Sequence, residues 1–152
     1  MPVKKTLKPN VNPSEIHIAD VEILHAELNS VLGFDPELIE NYEVQSEMDM
    51  AFNLVDKMAK AELKLSIHSI SEGDTDQEEA SAHFHLVFLF HVENLDELTE
   101  VMDDDTITLK GGLGNAISSI TYSTSRGILL TRFQGTALRK FILPVIDPND
   151  LV

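Results

Sequence analysis

Three segments in the middle of the chain alternate apolar and polar residues, and this alternation constrains the fold more than any other feature. The segments run from Met48 to Leu54, from Ala59 to Ile67 and from Phe84 to Val92. Because successive side chains of a strand point to opposite faces of a sheet, each segment predicts a strand with one apolar face. Polar turns join the three segments, so the sequence predicts an antiparallel meander with one dry and one wet face.

Apolar residues are also frequent between positions 16 and 28, but their alternation changes phase twice. The three phases are Ile16 and Ile18, then Val21 and Ile23, then Leu24, Ala26 and Leu28. A strand absorbs such a change through a bulge, so the segment predicts a bulged strand, with a helix as the alternative. The stretches 32–42 and 95–105 predict connectors with short helical parts.

One long helix is predicted after the glycines at positions 111, 112 and 114. Apolar residues recur at helical spacing from Leu113 to Ile128, although the many serines and threonines leave a strand as the alternative. Gly135 suits the end of this helix. The dry face of a sheet must be covered, and the segment from Leu113 to Phe133 is long enough to cover it. The sequence therefore predicts an α+β fold with one principal helix on an antiparallel sheet.

Charge and composition exclude several classes of function. The chain has 152 residues, 26 acids against 11 bases and a formal charge of −15, which disfavours binding to bare nucleic acid. The absence of cysteine excludes disulfides, thiolate metal sites and cysteine nucleophiles. No apolar run approaches the ~20 residues of a membrane span, and no signal peptide is evident. We expect a cytoplasmic protein, with a mobile arm over 1–13 and one domain over 14–152.

Histidines suggest the one chemical alternative. His83, His85 and His91 share a predicted strand face, and we place His68 on the same face of the neighbouring strand. Residues two apart on one strand face can both reach a metal, so a metal- or small-molecule-binding domain is the second hypothesis. A solvated face that carries imidazoles is the simpler interpretation. Because no nucleophile elbow or phosphate-binding loop is present either, we expect no enzymatic activity and no cofactor.

The last third of the chain carries a family resemblance. Gly135-Thr136, then Ile142-Leu143-Pro144-Val145 and a closing Leu151 resemble the SecB family of export chaperones. In that family a long helix ends in Gly-Thr, and an extended segment leads to a Leu-x-Pro-Val motif, whose leucine is Ile142 here. The similarity extends more loosely over the predicted strands between positions 16 and 92.

The resemblance implies a four-stranded antiparallel sheet with a long helix, and assembly into dimers or tetramers. It also implies a holdase that binds unfolded precursors in apolar grooves, with SecA as a motor partner and without nucleotide or metal. The motor-contact patch of the family corresponds here to Glu27, Ile70 and Glu72. For the client groove we expect Leu138, Phe141, Leu143, Val145 and Ile146, whereas Phe84, Phe88 and Phe90 are expected in the core. The family's second C-terminal helix and tail are nearly absent, so the resemblance supports client binding more firmly than hand-over to a motor.

Overall fold

Four long strands form one antiparallel sheet in the computed structural model, which describes residues 10–151. The strands are β1 (Ile16–Asn29), β2 (Ile39–Asn53), β3 (Met58–Ser71) and β4 (Ser81–Val92). Their order is β1-β4-β3-β2, so β3 and β4 lie in the centre and β1 and β2 form the edges. The predicted meander is confirmed, because β2, β3 and β4 are consecutive antiparallel neighbours.

Two bulges in β1 explain the phase changes in its sequence. The register with β4 shifts between Ile18 and Asp20 and again between Ile23 and His25, so one extra residue is accommodated at each place. The shifts keep the apolar residues of all three phases on one face of the sheet. The inserted Leu24 leaves that pattern and is 56% exposed. The predicted bulged strand is confirmed, and the helical alternative is wrong.

The connector between β1 and β2 is shorter than its sequence predicts. It contains a 3-10 helix over Pro36–Leu38, capped by the Asp35 side chain, and β2 begins directly afterwards at Ile39. The prediction of a connector up to residue 42 was wrong. A further register shift lies between Ile39 and Asn41, and the closed-face position before Met48 is the polar Ser46, so the apolar alternation is regular only from Met48 onward.

The predicted long helix is confirmed as α1 (Leu113–Arg132), and it packs on the apolar face of the sheet. Three small polar side chains of α1, Ser118, Thr121 and Ser125, have no exposed surface. Cα atoms of α1 come within 8 Å of those of β3, an approach that small side chains permit. Gly135 has a φ of 74°, a left-handed conformation that suits glycine and follows the helix end.

A small hairpin follows β4 and precedes α1 in the chain. A 3-10 helix over Leu95–Leu98 leads into β5 (Thr99–Val101), which pairs with β6 (Ile107–Leu109). The sequence predicted only a partly helical acidic stretch here, because strands of three residues carry too few positions to show an alternation.

After α1 the chain returns along the helix without regular structure as far as residue 147. The Tyr122 hydroxyl donates a hydrogen bond of 2.7 Å to the Pro144 carbonyl, and Arg126 Nε donates one of 2.8 Å to the Leu143 carbonyl. Phe141 packs edge-on against Tyr42 of β2, with ring centroids 4.9 Å apart. We call residues 133–147 the C-terminal segment. Together, α1 and this segment cover one side of the sheet, which we call the closed face. The phenylalanines predicted for the core, Phe84, Phe88 and Phe90, are buried there.

Candidate functional site

The side of the sheet opposite α1, which we call the open face, carries all six histidines of the chain. They are His17 and His25 on β1, His68 on β3, and His83, His85 and His91 on β4. Pairing places His17 beside His91 and His25 beside His85. The sequence predicted a shared face for four of them. The two histidines of β1 were missed because the pairing of β1 with β4 is not evident from the sequence.

Three of these histidines are bonded to carboxylates. Nε2 lies 3.0 Å from Glu93 Oε1 at His17, 3.0 Å from Glu27 Oε2 at His25 and 3.1 Å from Glu62 Oε2 at His85. The pKa of Glu62 is lowered by its hydrogen bond from Lys60 and then by that from His85. The pKa of Glu27 is lowered by the hydrogen bond from Asn29 and then by that from His25. The open face therefore holds imidazoles next to ionised acids.

The histidines do not assemble a metal site in the described part of the chain. Among residues 10–151, no group of three or more histidine, aspartate or glutamate side chains is arranged to hold a metal ion. His83 Nδ1 lies 3.0 Å from Ser66 Oγ, whereas His85 faces Glu62, so the two side chains engage different partners. The structure thus gives the metal-binding hypothesis no ligand set.

The predicted motor-contact residues lie at one end of the sheet. Glu27 and Ile70 are both on the open face, and Ile70, near the end of β3, is 42% exposed. The strand spacing puts them about 16 Å apart, with His68 and His83 between them. Glu72 follows β3 and is exposed, and its backbone N–H donates to the Leu38 carbonyl at 2.9 Å.

The predicted client-groove residues divide into two groups. Leu138, Phe141 and Leu143 are buried in the core, so the expectation that they line an open groove was wrong for this structure. Their side chains cover the closed face, which leaves them at most 3% exposed. Val145 is 89% exposed and Ile146 is half-buried beside α1. Sequence reasoning missed Ile142, which is 61% exposed and alternates with the buried residues on either side.

The motif residues of the resemblance fix the path of the C-terminal segment. Gly135 takes the left-handed conformation described above. The Thr136 hydroxyl donates to the Phe133 carbonyl at 2.7 Å and accepts from the Leu138 N–H at 3.2 Å. The Pro144 carbonyl accepts from Tyr122 and from Arg126 Nη2, at 2.7 and 3.3 Å. These contacts give the motif a structural role in closing the sheet.

A cleft of about 480 Å³ opens between the β1–β2 connector and the turn after α1. Its walls are formed by residues 30–34 and 36 on one side and by residues 135–137 and 139 on the other. Two aliphatic side chains, Val31 and Leu32, are exposed in this wall, and Leu32 is fully so. In the sequence, the one signal for this surface is a Val-Leu pair in a connector whose other residues favour turns.

Comparison with solved structures finds this fold in a chaperone. A SecB-like chaperone from Mycobacterium tuberculosis, solved in complex with a ChAD peptide from the HigA1 antitoxin, matches with a TM-score of 0.61 and 14% identity. The match covers 88% of this chain and 91% of that one. The chain has the SecB-like fold.

A protein of unknown function from Streptococcus agalactiae also matches, with a TM-score of 0.33 and 11% identity over 86% of this chain and 98% of that one. No protein-family model and no curated protein sequence matches the chain. Within residues 10–151, no helix has the length and apolar character that crossing a membrane requires.

Proposed function

We propose that the chain is a molecular chaperone of the holdase type, which binds unfolded polypeptide segments through exposed aliphatic side chains. The observation that carries the proposal is the SecB-like fold, shared over nearly the whole length of a chaperone that was solved with a bound peptide. Because 14% identity does not transfer function, residues of this chain must supply the binding surface.

Two exposed aliphatic pairs are suited to this role. Val31 and Leu32 stand on the wall of the 480 Å³ cleft, and Ile142 and Val145 project from the C-terminal segment. Single exposed aliphatic residues are common on soluble proteins, but a pair at the mouth of a cleft offers a client both apolar contact and shape. The excess of acids elsewhere keeps such a surface soluble.

The client class follows from this surface. Short apolar stretches of an unfolded chain fit it, and the structural neighbour was solved in complex with a peptide from an antitoxin. Export precursors are the other class that the resemblance implies. Engagement of a SecA-type motor through Glu27, Ile70 and Glu72, assembly into dimers or tetramers, a cytoplasmic location and the lack of enzymatic activity remain predictions.

An aggregation assay tests the proposal. We expect the protein, at near-stoichiometric amounts, to delay the light scattering of a chemically unfolded client that is diluted into buffer. The double substitution Val31→Ser with Leu32→Ser is expected to reduce this effect several-fold, because a few apolar anchors dominate binding at interfaces. The same is expected of Ile142→Ser with Val145→Ser. Native mass spectrometry of the same samples reports the oligomeric state.

Val55→Ser is the matched control. Val55 is a fully comparable exposed aliphatic residue, in the turn between β2 and β3 at the opposite end of the sheet from the cleft. The Val55→Ser substitution should leave the delay of client aggregation unchanged. A wild-type protein that fails to delay the aggregation of several unrelated clients contradicts the proposal, as does an equal loss in the Val55→Ser control.

A further inference from the structure

A cavity of about 100 Å³ lies between α1 and the last residues of the described chain. One wall is polar and belongs to α1, with Ser118, Ser119, Tyr122, Ser123 and Arg126. The other wall is apolar and consists of Val145, Ile146, Pro148 and Leu151. We propose that this cavity binds a short aliphatic acid that carries a second oxygen, such as a keto or hydroxy acid. The proposal does not rest on the holdase function, because Ser118 and Arg126 are not client-binding residues.

The hydroxyl of Ser118 is the first observation that points to a ligand. Ser118 has no exposed surface, and its Oγ makes no hydrogen bond within residues 10–151. A buried polar group without a partner costs free energy, so native structures keep few of them. Because Ser118 forms part of the cavity wall, a polar group of a ligand in the cavity can supply the missing bond.

Arg126 is the second observation, since it places a positive charge at the cavity and holds it still. Its Nε donates to the Leu143 carbonyl at 2.8 Å and its Nη2 to the Pro144 carbonyl at 3.3 Å. Its Cζ also lies 5.4 Å from the centre of the Tyr122 ring. A guanidinium has five N–H groups, so three of them have no partner within the described residues. A fixed fork of free N–H groups is suited to a carboxylate.

The charges around the cavity favour one anion over a general attraction of anions. The net charge of −15 repels anions from most of the surface. No residue of the cavity wall is acidic, and Arg126 forms no ion pair with an acid of residues 10–151. The apolar wall disfavours a hydrated inorganic ion but accepts a hydrocarbon chain. The ligand therefore combines a carboxylate with aliphatic carbons.

The spacing along α1 places the second oxygen of the ligand. The guanidinium of Arg126 lies over Tyr122, and Ser118 is one turn before Tyr122, about 6 Å along the helix axis. One ligand group can therefore pair with Arg126 while another, several bonds away, accepts a hydrogen bond from Ser118. A water molecule needs roughly 10–15 Å³, so the cavity holds about seven to nine non-hydrogen atoms. 4-Oxopentanoate, with about eight such atoms, fits both limits.

Thermal melting of the full chain with added small molecules tests the proposal. We expect 4-oxopentanoate to raise the melting temperature saturably, by about 3 °C at about 10 mM. Pentanoate, which lacks the second oxygen, should need about fivefold higher concentration for the same shift. 2-Pentanone, which lacks the carboxylate, and acetate should give no shift when sodium chloride equalises the ionic strength. No response to 4-oxopentanoate, or an equal response to acetate, overturns the proposal whatever the aggregation assay shows.

A polypeptide end carries a similar pair of groups, a carboxylate and a peptide carbonyl. The peptide acetyl-Ala-Ala-Leu with a free C-terminus therefore distinguishes the two sources. We expect it to raise the melting temperature less than 4-oxopentanoate at equal concentration, because the closely limited volume leaves no room for a continuing chain. A response to the peptide without one to 4-oxopentanoate would assign the cavity to chain ends and overturn the proposal.

The Ser118→Ala variant tests the role of the unpaired hydroxyl. It should reduce the preference for 4-oxopentanoate over pentanoate to less than about twofold. Thr121→Val is the matched control, because Thr121 is also fully buried with a hydroxyl unpaired within residues 10–151 but does not line the cavity. Without ligand, Ser118→Ala should melt no lower than the wild type, since no hydrogen bond is lost. A preference that persists in Ser118→Ala, or that the control loses equally, overturns the proposal.

A variant that fills the cavity locates the response. Ser119→Leu places a larger side chain at the cavity wall and should abolish the shift with both acids. Thr131→Leu makes a similar change at an exposed position near the end of α1 and should keep the shift. Circular dichroism verifies that both variants are folded. A folded Ser119→Leu protein that responds like the wild type would place the acid elsewhere, and the proposed site would be wrong.

Discussion

The two faces of the sheet are built from the same four strands but differ in almost every physical property. On β4, Phe84, Leu86 and Phe88 are buried on the closed face, whereas the adjacent His83 and His85 stand on the open face. Because neighbouring side chains point to opposite sides, the packing that holds the fold occupies every second position. The intervening positions are free to carry charge. Stability and surface chemistry are therefore separable residue by residue, and substitutions on the two faces should differ in their effects.

The largest expected effect is on the closed face. Phe88→Ala removes a fully buried aromatic side chain and should lower the free energy of unfolding by about 3–5 kcal/mol. Leu89→Ala, its half-buried neighbour on the open face, should cost about 1 kcal/mol or less. Urea denaturation followed by circular dichroism measures both. Similar losses for the two variants would mean that the open face is covered in solution.

The second prediction concerns the hydrogen bonds that hold the C-terminal segment over the closed face. Arg126→Ala removes the hydrogen bonds to the carbonyls of Leu143 and Pro144 and should cost about 1.5–3 kcal/mol. Because the C-terminal segment is then held less firmly, we expect increased binding of an apolar dye. Arg132→Ala, at the exposed end of α1, should change the unfolding midpoint little. An Arg126 variant as stable as the wild type would contradict the role of this arginine.

The third prediction concerns Glu79, whose carboxylate accepts hydrogen bonds from Ser69 and Ser71 near the end of β3. Burial by itself would raise the pKa of Glu79, but hydrogen bonds from Ser69 Oγ at 2.5 Å and from Ser71 N–H at 2.8 Å outweigh it and lower the pKa. A lowered folded-state pKa stabilises above the unfolded value of 4.5, and this contribution is lost as the pH falls through the folded value. Glu79→Gln should therefore destabilise by about 1 kcal/mol at neutral pH and progressively less in acid.

Glu78→Gln is the control for this measurement, since Glu78 and Glu79 are both exposed but the hydrogen bonds from Ser69 and Ser71 go to Glu79. Chemical denaturation of both variants and the wild type at neutral pH and at about pH 3 gives the comparison. A Glu79 deficit that stays constant over this range would assign its role to packing instead of charge.

The smallest expected effect is on the open face. Glu22→Ala should change the free energy of unfolding by less than about 0.5 kcal/mol, because its side chain is exposed on an edge strand. Ile23→Ala, directly next to it on the closed face and half-buried, should cost more. Thermal melts of the two variants, run side by side, decide the point. A larger loss for Glu22 would break the separation of the two faces.

Alternation and helical spacing were enough to predict the architecture, because the central strands and α1 have regular periods. The ends of the strands and the shortest strands were harder to predict. β2 was predicted from Met48, although it begins at Ile39, since a register shift lies between Ile39 and Asn41 and the closed-face position before Met48 is the polar Ser46. The three-residue strands β5 and β6 were missed for want of length.

Candidate site residues were less predictable than the fold. Leu138, Phe141 and Leu143 are apolar both in a groove and in a core, so only the tertiary structure shows that they are buried. The full histidine set required the β1–β4 register, which places His17 beside His91 and His25 beside His85. Leu32 shows the opposite case, an exposed leucine that composition alone would place in the interior.

The two bulges of β1 have a consequence for how this strand tolerates insertions and deletions. Each adds one residue, so together they shift the strand by two, which is one full period of the side-chain alternation. Losing Ala19 or Leu24 alone would exchange inside and outside over part of the strand, and would carry histidines of β1 toward the core. Losing both would leave an unbroken alternation. Single deletions here should be rarer among descendants of this sequence than paired ones.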